Sequence, residues 1–188
     1  LKTMLRDIMI SKPESMLTVP LVVEGMYNAL KRQVEEKIQS QNPKEKKGLF
    51  ERFFAKSTDT VTEQMLIGAW KQTFPNLKVI ICGGAHLGRD IQEIFLWFGV
   101  KILHGYGITE CAPIISANGN KIHRVGTIGI PIPGCEIRFY EEEILVKSVS
   151  LMTGYYKDEE ATKAVLQDGW FRTGDMVAMD TDGYLPFT

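Results

Sequence analysis

The run His104-Gly105-Tyr106-Gly107-Ile108-Thr109-Glu110-Cys111-Ala112-Pro113 brings an aromatic ring, a hydroxyl and a carboxylate close together, with a glycine on either side of the ring. Gly105 and Gly107 let the backbone bend sharply or lie close to a ligand. Tyr106 offers a ring face for stacking, and Thr109 a hydroxyl that donates to a phosphate oxygen. Glu110 can hold a hard cation such as magnesium, which takes one or two carboxylates and fills its shell from substrate phosphates. An aromatic, a hydroxyl and a metal-binding carboxylate at the carboxyl end of a strand read as a nucleotide-phosphate site. The same residue types also fit a strand followed by a helix that Thr109 caps.

The surrounding elements must carry that run to a sheet edge. Residues 100–103 are apolar and read as a buried strand. Asn76-Leu77-Lys78-Val79-Ile80-Ile81-Cys82 is a second, rich in β-branched side chains and ended by Gly83-Gly84-Ala85. Residues 88–98 between them read as a helix. This order predicts a parallel βαβ unit. Both strands then end on the same edge, where open α/β sheets bind ligands. Gly83-Gly84-Ala85 and residues 105–110 are therefore expected to be neighbours in space.

Upstream, residues 1–18 are mixed in character, with Pro13 and Ser15 punctuating a loop. Pro20 opens a helical pattern in which Val22, Val23, Met26, Tyr27, Leu30, Val34 and Ile38 recur at threes and fours. Residues 60–74 read as another helix. Segment 41–56 is basic and then aromatic, with Lys44, Lys46, Lys47, Phe50, Phe53 and Phe54. Such a pattern can lie on an anionic membrane surface; a charged surface loop entering a core-packing helix is the commoner arrangement. After Pro113 the character changes. Asn118-Gly119-Asn120 signals a turn, and short strands are predicted at 136–140, 144–147, Phe171, 176–179 and 184–187. One helix, 158–166, has Asp158 as its cap. The expected fold class is α/β: an α/β portion over 1–118, with packing helices around the βαβ unit, and a small antiparallel, barrel-like β subdomain over 119–188.

Composition bounds the rest. The 188 residues suffice for a sizeable core, with 44% hydrophobic and 24% charged residues. A net charge of -1 gives no electrostatic footprint for nucleic acid. Cys82, Cys111 and Cys135 are widely separated and odd in number, so a reducing cytoplasm is the simplest compartment. The apolar run at 94–98 is too short to span a bilayer. His86, His104 and His123 lack the spacing of a metal triad, and structural or exposed roles are expected for them.

Several motifs together carry a resemblance. Gly105-Tyr106-Gly107-Ile108-Thr109-Glu110 resembles the nucleotide motif of the adenylate-forming enzymes, the superfamily of acyl-CoA synthetases, luciferases and peptide-synthetase adenylation domains. Gly83-Gly84-Ala85 is similar to the glycine-rich loop that lies along adenine there. Val125-Gly126-Thr127-Ile128-Gly129-Ile130-Pro131-Ile132-Pro133-Gly134 resembles the Gly/Pro-rich connector. Ile144-Leu145-Val146-Lys147 with Met152-Thr153-Gly154-Tyr155-Tyr156 resembles the strand and turn that follow it. Gly169-Trp170-Phe171-Arg172-Thr173-Gly174-Asp175 is similar to the motif whose aspartate holds the ribose hydroxyls. Residues 1–76 match more loosely, in the manner of the long-chain fatty acyl-CoA synthetase branch.

The resemblance implies a two-step ligation: a fatty carboxylate and ATP give acyl-adenylate and pyrophosphate, and coenzyme A then displaces AMP. It implies adenine contacts for Gly83, Gly84, Ala85, Tyr106 and Gly107, the α-phosphate for Thr109, magnesium for Glu110 and ribose for Asp175. The catalytic pair would be Thr109 and Glu110. Trp170 and Phe171 are expected in the core. Relatives that activate another carboxylic acid, and a nucleotide-binding module without catalysis, are the alternatives. The family's Ser/Thr/Gly-rich phosphate loop is expected upstream and its mobile, lysine-bearing domain downstream. The chain thus reads as a piece of the large N-terminal domain, inactive by itself. Glu141-Glu142-Glu143 stands where relatives have a longer, glycine-containing turn.

Overall fold

A computed structural model describes residues 2–41 and 60–186. The basic-aromatic segment 44–56 lies outside the described residues, as does Phe187. Helix α1 (Lys2–Ser11) leads into strand β1 (Ser15–Thr18), where the sequence read only as loop. Strand β1 pairs in parallel with β2 (Val79–Cys82), so its signal lies in a partner far along the chain and not in its own four residues. Helix α2 (Pro20–Gln41) starts on the proline, whose missing N–H is no loss in a first turn. It buries Val23, Met26, Leu30 and Val34 at the predicted spacing. Helix α3 (Thr60–Thr73) packs beside it and brings in Leu66, Ala69 and Trp70.

The βαβ unit forms as expected: β2, then helix α4 (Arg89–Trp97), then β3 (Lys101–Gly107), with Cys82 opposite His104 in a parallel register. Trp70 anchors the helical side. Its ring stacks on Phe98 at 4.7 Å and meets Phe95 edge-on at 5.1 Å. Strand β3 runs past residue 104 because its second half has a new partner, the antiparallel β4 (Ile114–Ala117), which in turn pairs with β5 (Ile130–Pro131). The first sheet therefore has the order β1-β2-β3-β4-β5.

A second sheet is antiparallel, with order β6-β7-β9-β8: β6 (Cys135–Tyr140), β7 (Glu143–Ser148), β8 (Leu166–Gln167) and β9 (Trp170–Met176). Helix α5 (Glu159–Val165) precedes β8, and Asp158 caps it by accepting a hydrogen bond from the Ala161 N–H at 2.9 Å. The strand predicted at 176–179 does not form, nor does the described part, 184–186, of the strand predicted at 184–187. Strand β9 stops at Met176, and Pro186 makes only a single bridge to Thr127. Cys111, Ile115, Ile144 and Val146 form a separate buried cluster, against which Tyr106, Ile108, Cys135 and Ile137 pack. That cluster joins the end of β3 to the second sheet.

Candidate adenine-nucleotide site

The two glycine-containing runs meet as the parallel register requires. A Cβ on Gly83 would lie 3.4 Å from the Gly105 carbonyl oxygen. Buried His104 reaches across the same gap, with Nε2 3.0 Å from the Ala85 carbonyl oxygen. A carbonyl only accepts, so His104 carries a proton on Nε2 and ties the 83–85 loop to β3. Burial lowers the His104 pKa, which favours the neutral ring. His123 is likewise structural, with Nε2 3.1 Å from the Ile102 carbonyl oxygen.

Beyond Gly107 the chain makes a single 3-10 turn, Thr109–Cys111. Its N-cap is Ile108, with no side-chain capping bond, so Thr109 is not a helix cap. The Thr109 hydroxyl is on an exposed residue, and among the described residues no hydrogen bond commits it. Glu110 follows, half-buried, and its Oε1 accepts a 2.9 Å hydrogen bond from the Tyr155 hydroxyl. The Glu110 carbonyl accepts from the Met152 N–H at 2.7 Å. The turn after β3 is thus fastened to the segment that follows β7.

Asp175, near the end of β9, is exposed, and its Oδ2 accepts a short hydrogen bond from the Tyr106 hydroxyl. Burial first, then that carboxylate, push the Tyr106 phenol far above its ordinary pKa, so it remains a donor at neutral pH. The Asp175 N–H donates to Thr173 Oγ1 at 3.1 Å, which sets the turn. The structure therefore brings together Gly83 and Ala85 with Gly105 and His104, Tyr106 with Asp175, and Glu110 with Tyr155. It shows no contact between Glu110 and Asp175 themselves, though Glu110 and Gly174 line one 330 Å³ cavity. Phe171 is buried in the core, whereas Trp170 is only half-buried under the Arg138 guanidinium, 4.1 Å from its ring centre.

Residues 1–156 match the AMP-binding enzyme family. The chain belongs to that family. Similar proteins include the long-chain-fatty-acid–CoA ligase FadD15 of Mycobacterium bovis, 35% identical over 60% of this chain and 19% of its own length. The long-chain-fatty-acid–CoA ligase of Salmonella typhimurium is 38% identical over 60% of this chain and 22% of its own. The chain thus spans about a fifth of the length of these curated relatives. Among solved structures, the anthranilate CoA ligase AuaEII in complex with anthranoyl-AMP superposes with a TM-score of 0.66 at 18% identity, over 98% of this chain and 31% of that one. At that identity the likeness establishes the fold.

Several positioning residues of this member of the AMP-binding family gave no sequence signal. Gln92 is buried; its Oε1 accepts from the Gly126 N–H at 3.1 Å and its Nε2 donates to the Leu87 carbonyl at 2.9 Å, so α4 holds the connector. Asn118, read only as a turn residue, is buried and bonds the Thr127 carbonyl, the His104 carbonyl and the Arg124 N–H. The largest departure concerns Glu143. Glu141 and Glu142 sit at φ 49° and 70°, making a tight two-residue turn between Tyr140 and Glu143. Glu143 itself turns inward, accepting from Arg172 Nε at 3.0 Å and from the Gly174 N–H at 3.0 Å. It thereby fastens both sides of Thr173, two residues from Asp175.

The Arg172 bonds lower the Glu143 pKa. A carboxylate depressed in the folded state contributes stability above its unfolded pKa and loses it as pH falls through the folded value. Glu143→Gln is expected to lower the melting temperature at pH 7 by about 2–4 °C. The gap to wild type should close as pH drops through the carboxylate range. Calorimetric melts from pH 7 to pH 3 check this; a gap that widens in acid would remove Glu143 as the charged partner.

Proposed function

We propose that the chain carries the adenine, ribose and cation-binding part of an AMP-forming, long-chain fatty acid–CoA ligase, placed in the cytoplasm. The observation that carries the reading is the hydrogen bond from Tyr106 to Asp175. It joins two distant motifs at one place, next to the 83–85 loop. The relatives named as long-chain-fatty-acid–CoA ligases support the acid class. A larger parent is supported by the parallel strands themselves, which in α/β folds are covered on both faces. Here Leu17 and Ile81, opposite one another in the register, are 79% and 48% exposed. Among the described residues no helix is long and apolar enough to cross a membrane.

In the first step a carboxylate oxygen of the acid attacks the α-phosphorus of ATP, and the bond to pyrophosphate breaks. In the second, the coenzyme A thiolate attacks the acyl carbon and AMP leaves. The chain's own residues position and neutralise charge, which is most of what phosphoryl transfer asks of a protein. Tyr106 presents a ring face to adenine, with Gly83, Gly84 and Ala85 along its edge and Gly107 admitting a close backbone. Thr109 donates its exposed hydroxyl to the α-phosphate. Asp175, an acceptor-only group, takes hydrogen bonds from the ribose hydroxyls.

Among the described residues no group of three or more His, Cys, Asp or Glu side chains could form a metal cage. A lone, half-buried Glu110 suits a cation that brings its own phosphate oxygens, which is how magnesium is held beside nucleotides. Magnesium there would offset phosphate charge.

ATP–pyrophosphate exchange by the full-length protein, across acids of increasing chain length, tests the reading. Exchange should rise toward long-chain fatty acids and depend on magnesium. Exchange with an aryl or short acid but not palmitate would assign another substrate. No exchange with any acid, while AMP still binds, would leave a nucleotide-binding module.

A further inference from the structure

We propose that Tyr155 is a positioning residue for Glu110: its hydroxyl sets the orientation in which that carboxylate meets a nucleotide-bound divalent cation. The inference rests on the cation-binding role proposed for Glu110 and adds a residue to it.

The peptide unit that follows Glu110 is fixed at both its polar groups, by the Met152 N–H on the Glu110 carbonyl at 2.7 Å and by the Cys111 N–H donating to the Ile108 carbonyl at 3.1 Å. The Glu110 side chain is another matter. Two staggered torsions leave a glutamate several rotamers, and a cation site needs one of them. The Tyr155 hydroxyl, 2.9 Å from Oε1, selects that rotamer. A carboxylate can only accept, so the phenol donates and stays neutral while the other oxygen keeps its lone pairs. A neutral donor holds the group without cancelling the charge that attracts a cation.

The backbone of Tyr155 is itself anchored. Its N–H donates to Thr162 Oγ1 at 2.9 Å, and the Thr162 hydroxyl donates to the Asp158 carbonyl at 2.7 Å, at the capped start of α5. Gly154, at φ +153°, lets the turn close on that helix: a Cβ there would lie 3.0 Å from Thr162 Cγ2. The backbone that carries the phenol is therefore anchored to a helix end. Tyr155 and Glu110 also share the wall of the 330 Å³ cavity with Thr173 and Gly174, beside the Asp175 turn. The adjacent Tyr156 is 87% exposed and has no bond to Glu110, which makes it an internal control.

Hydrogen bonds to ligating carboxylates are worth about 10- to 100-fold in metal affinity. The experiment uses Mn²⁺ as the probe, with the full-length protein and a non-hydrolysable ATP analogue, and reads free Mn²⁺ by electron paramagnetic resonance. Tyr155→Phe keeps the ring and the backbone bond to Thr162. It is expected to weaken Mn²⁺ in the ternary complex about 10-fold, with metal-free analogue affinity and melting temperature unchanged. Tyr156→Phe should match wild type. If Glu110→Gln weakens Mn²⁺ and Tyr155→Phe does not, the inference falls and the Glu110 role stands. An equal loss of metal-free analogue affinity in Tyr155→Phe would make Tyr155 a general support of the fold and overturn the inference too. If Glu110→Gln leaves Mn²⁺ untouched, the Glu110 role falls and this one with it.

Discussion

Alanine at Gly107 should cost more than about 3 kcal/mol, above the usual penalty for overpacking, and lower the melting temperature by roughly 6–12 °C. The reason is the closeness of β3 and β4 at their irregular register. A Cβ on Gly107 would lie 2.1 Å from the Pro113 carbonyl oxygen and 2.7 Å from its carbon. Both are backbone atoms, so no side chain can swing aside. The same oxygen accepts the Ile108 N–H at 2.9 Å, and relieving the clash means breaking that bond. Parting the strands would also carry Tyr106 and Thr109 away from their places, so AMP affinity should fall together with stability. Gly129→Ala should behave similarly, since its φ is +81° and a Cβ would meet the Ala117 carbonyl carbon at 2.0 Å. Gly68→Ala should do the opposite. Gly68 lies within α3 with open space around it, and alanine there gains about 0.5–1 kcal/mol from helix propensity. Thermal melts of the three variants decide the matter. A Gly107→Ala protein that melts with wild type would mean that β3 and β4 do not approach as described.

What the sequence made legible follows from how local each signal is. The βαβ unit is written in contiguous runs: β-branched residues for β2, an amphipathic helix, then 100–103, each ended by glycine. Parallel pairing then dictates that residues 83–85 and 105–110 share an edge, and the register of Cys82 with His104 has them do so. Asp158 was readable as a cap because capping is settled within four residues. Strand β1 was not readable, since Ser15–Thr18 has no pattern of its own and is held by β2, some sixty residues further along the chain. Strand β5 is two residues long and contains a proline, which argues against a strand until β4 is seen beside it. In the site, three consecutive glutamates stand where relatives have a longer, glycine-containing turn, and nothing in their spacing reveals that Glu143 faces inward to Arg172. Tyr155 and Glu110 are joined only by tertiary structure. The pairing of Tyr106 with Asp175 likewise has no trace in spacing; the resemblance of the two motifs to one family is what put them in a single site.

Asp175→Ala is expected to weaken ATP and AMP alike. Ribose is common to both nucleotides, whereas pyrophosphate and its cation belong to ATP alone. Two hydrogen bonds from ribose hydroxyls to a carboxylate would be worth about 1.5–3 kcal/mol each if buried. Asp175 is exposed, so a total of about 2–3 kcal/mol is the fitting figure, or roughly 30- to 150-fold in Kd. The loss has a second part. Without the carboxylate, the Tyr106 hydroxyl has no acceptor at Asp175, and the half-buried ring proposed to face adenine is less firmly held. Tyr106→Phe separates the two parts, because it removes the hydroxyl and keeps both the ring and the Asp175 acceptor. If the ribose contacts dominate, Tyr106→Phe should cost less than about 10-fold, the equivalent of one modest hydrogen bond, with Asp175→Ala well beyond it. If the ring's position dominates, the two variants should be equally weak. Calorimetry with AMP in the absence of magnesium makes the comparison without involving Glu110. Unaltered AMP affinity in Asp175→Ala would reduce Asp175 to a turn residue, placed by the Thr173 hydroxyl and by Glu143 on Gly174 for the sake of the fold. The nucleotide would then have to lie elsewhere on the edge shared by β2 and β3.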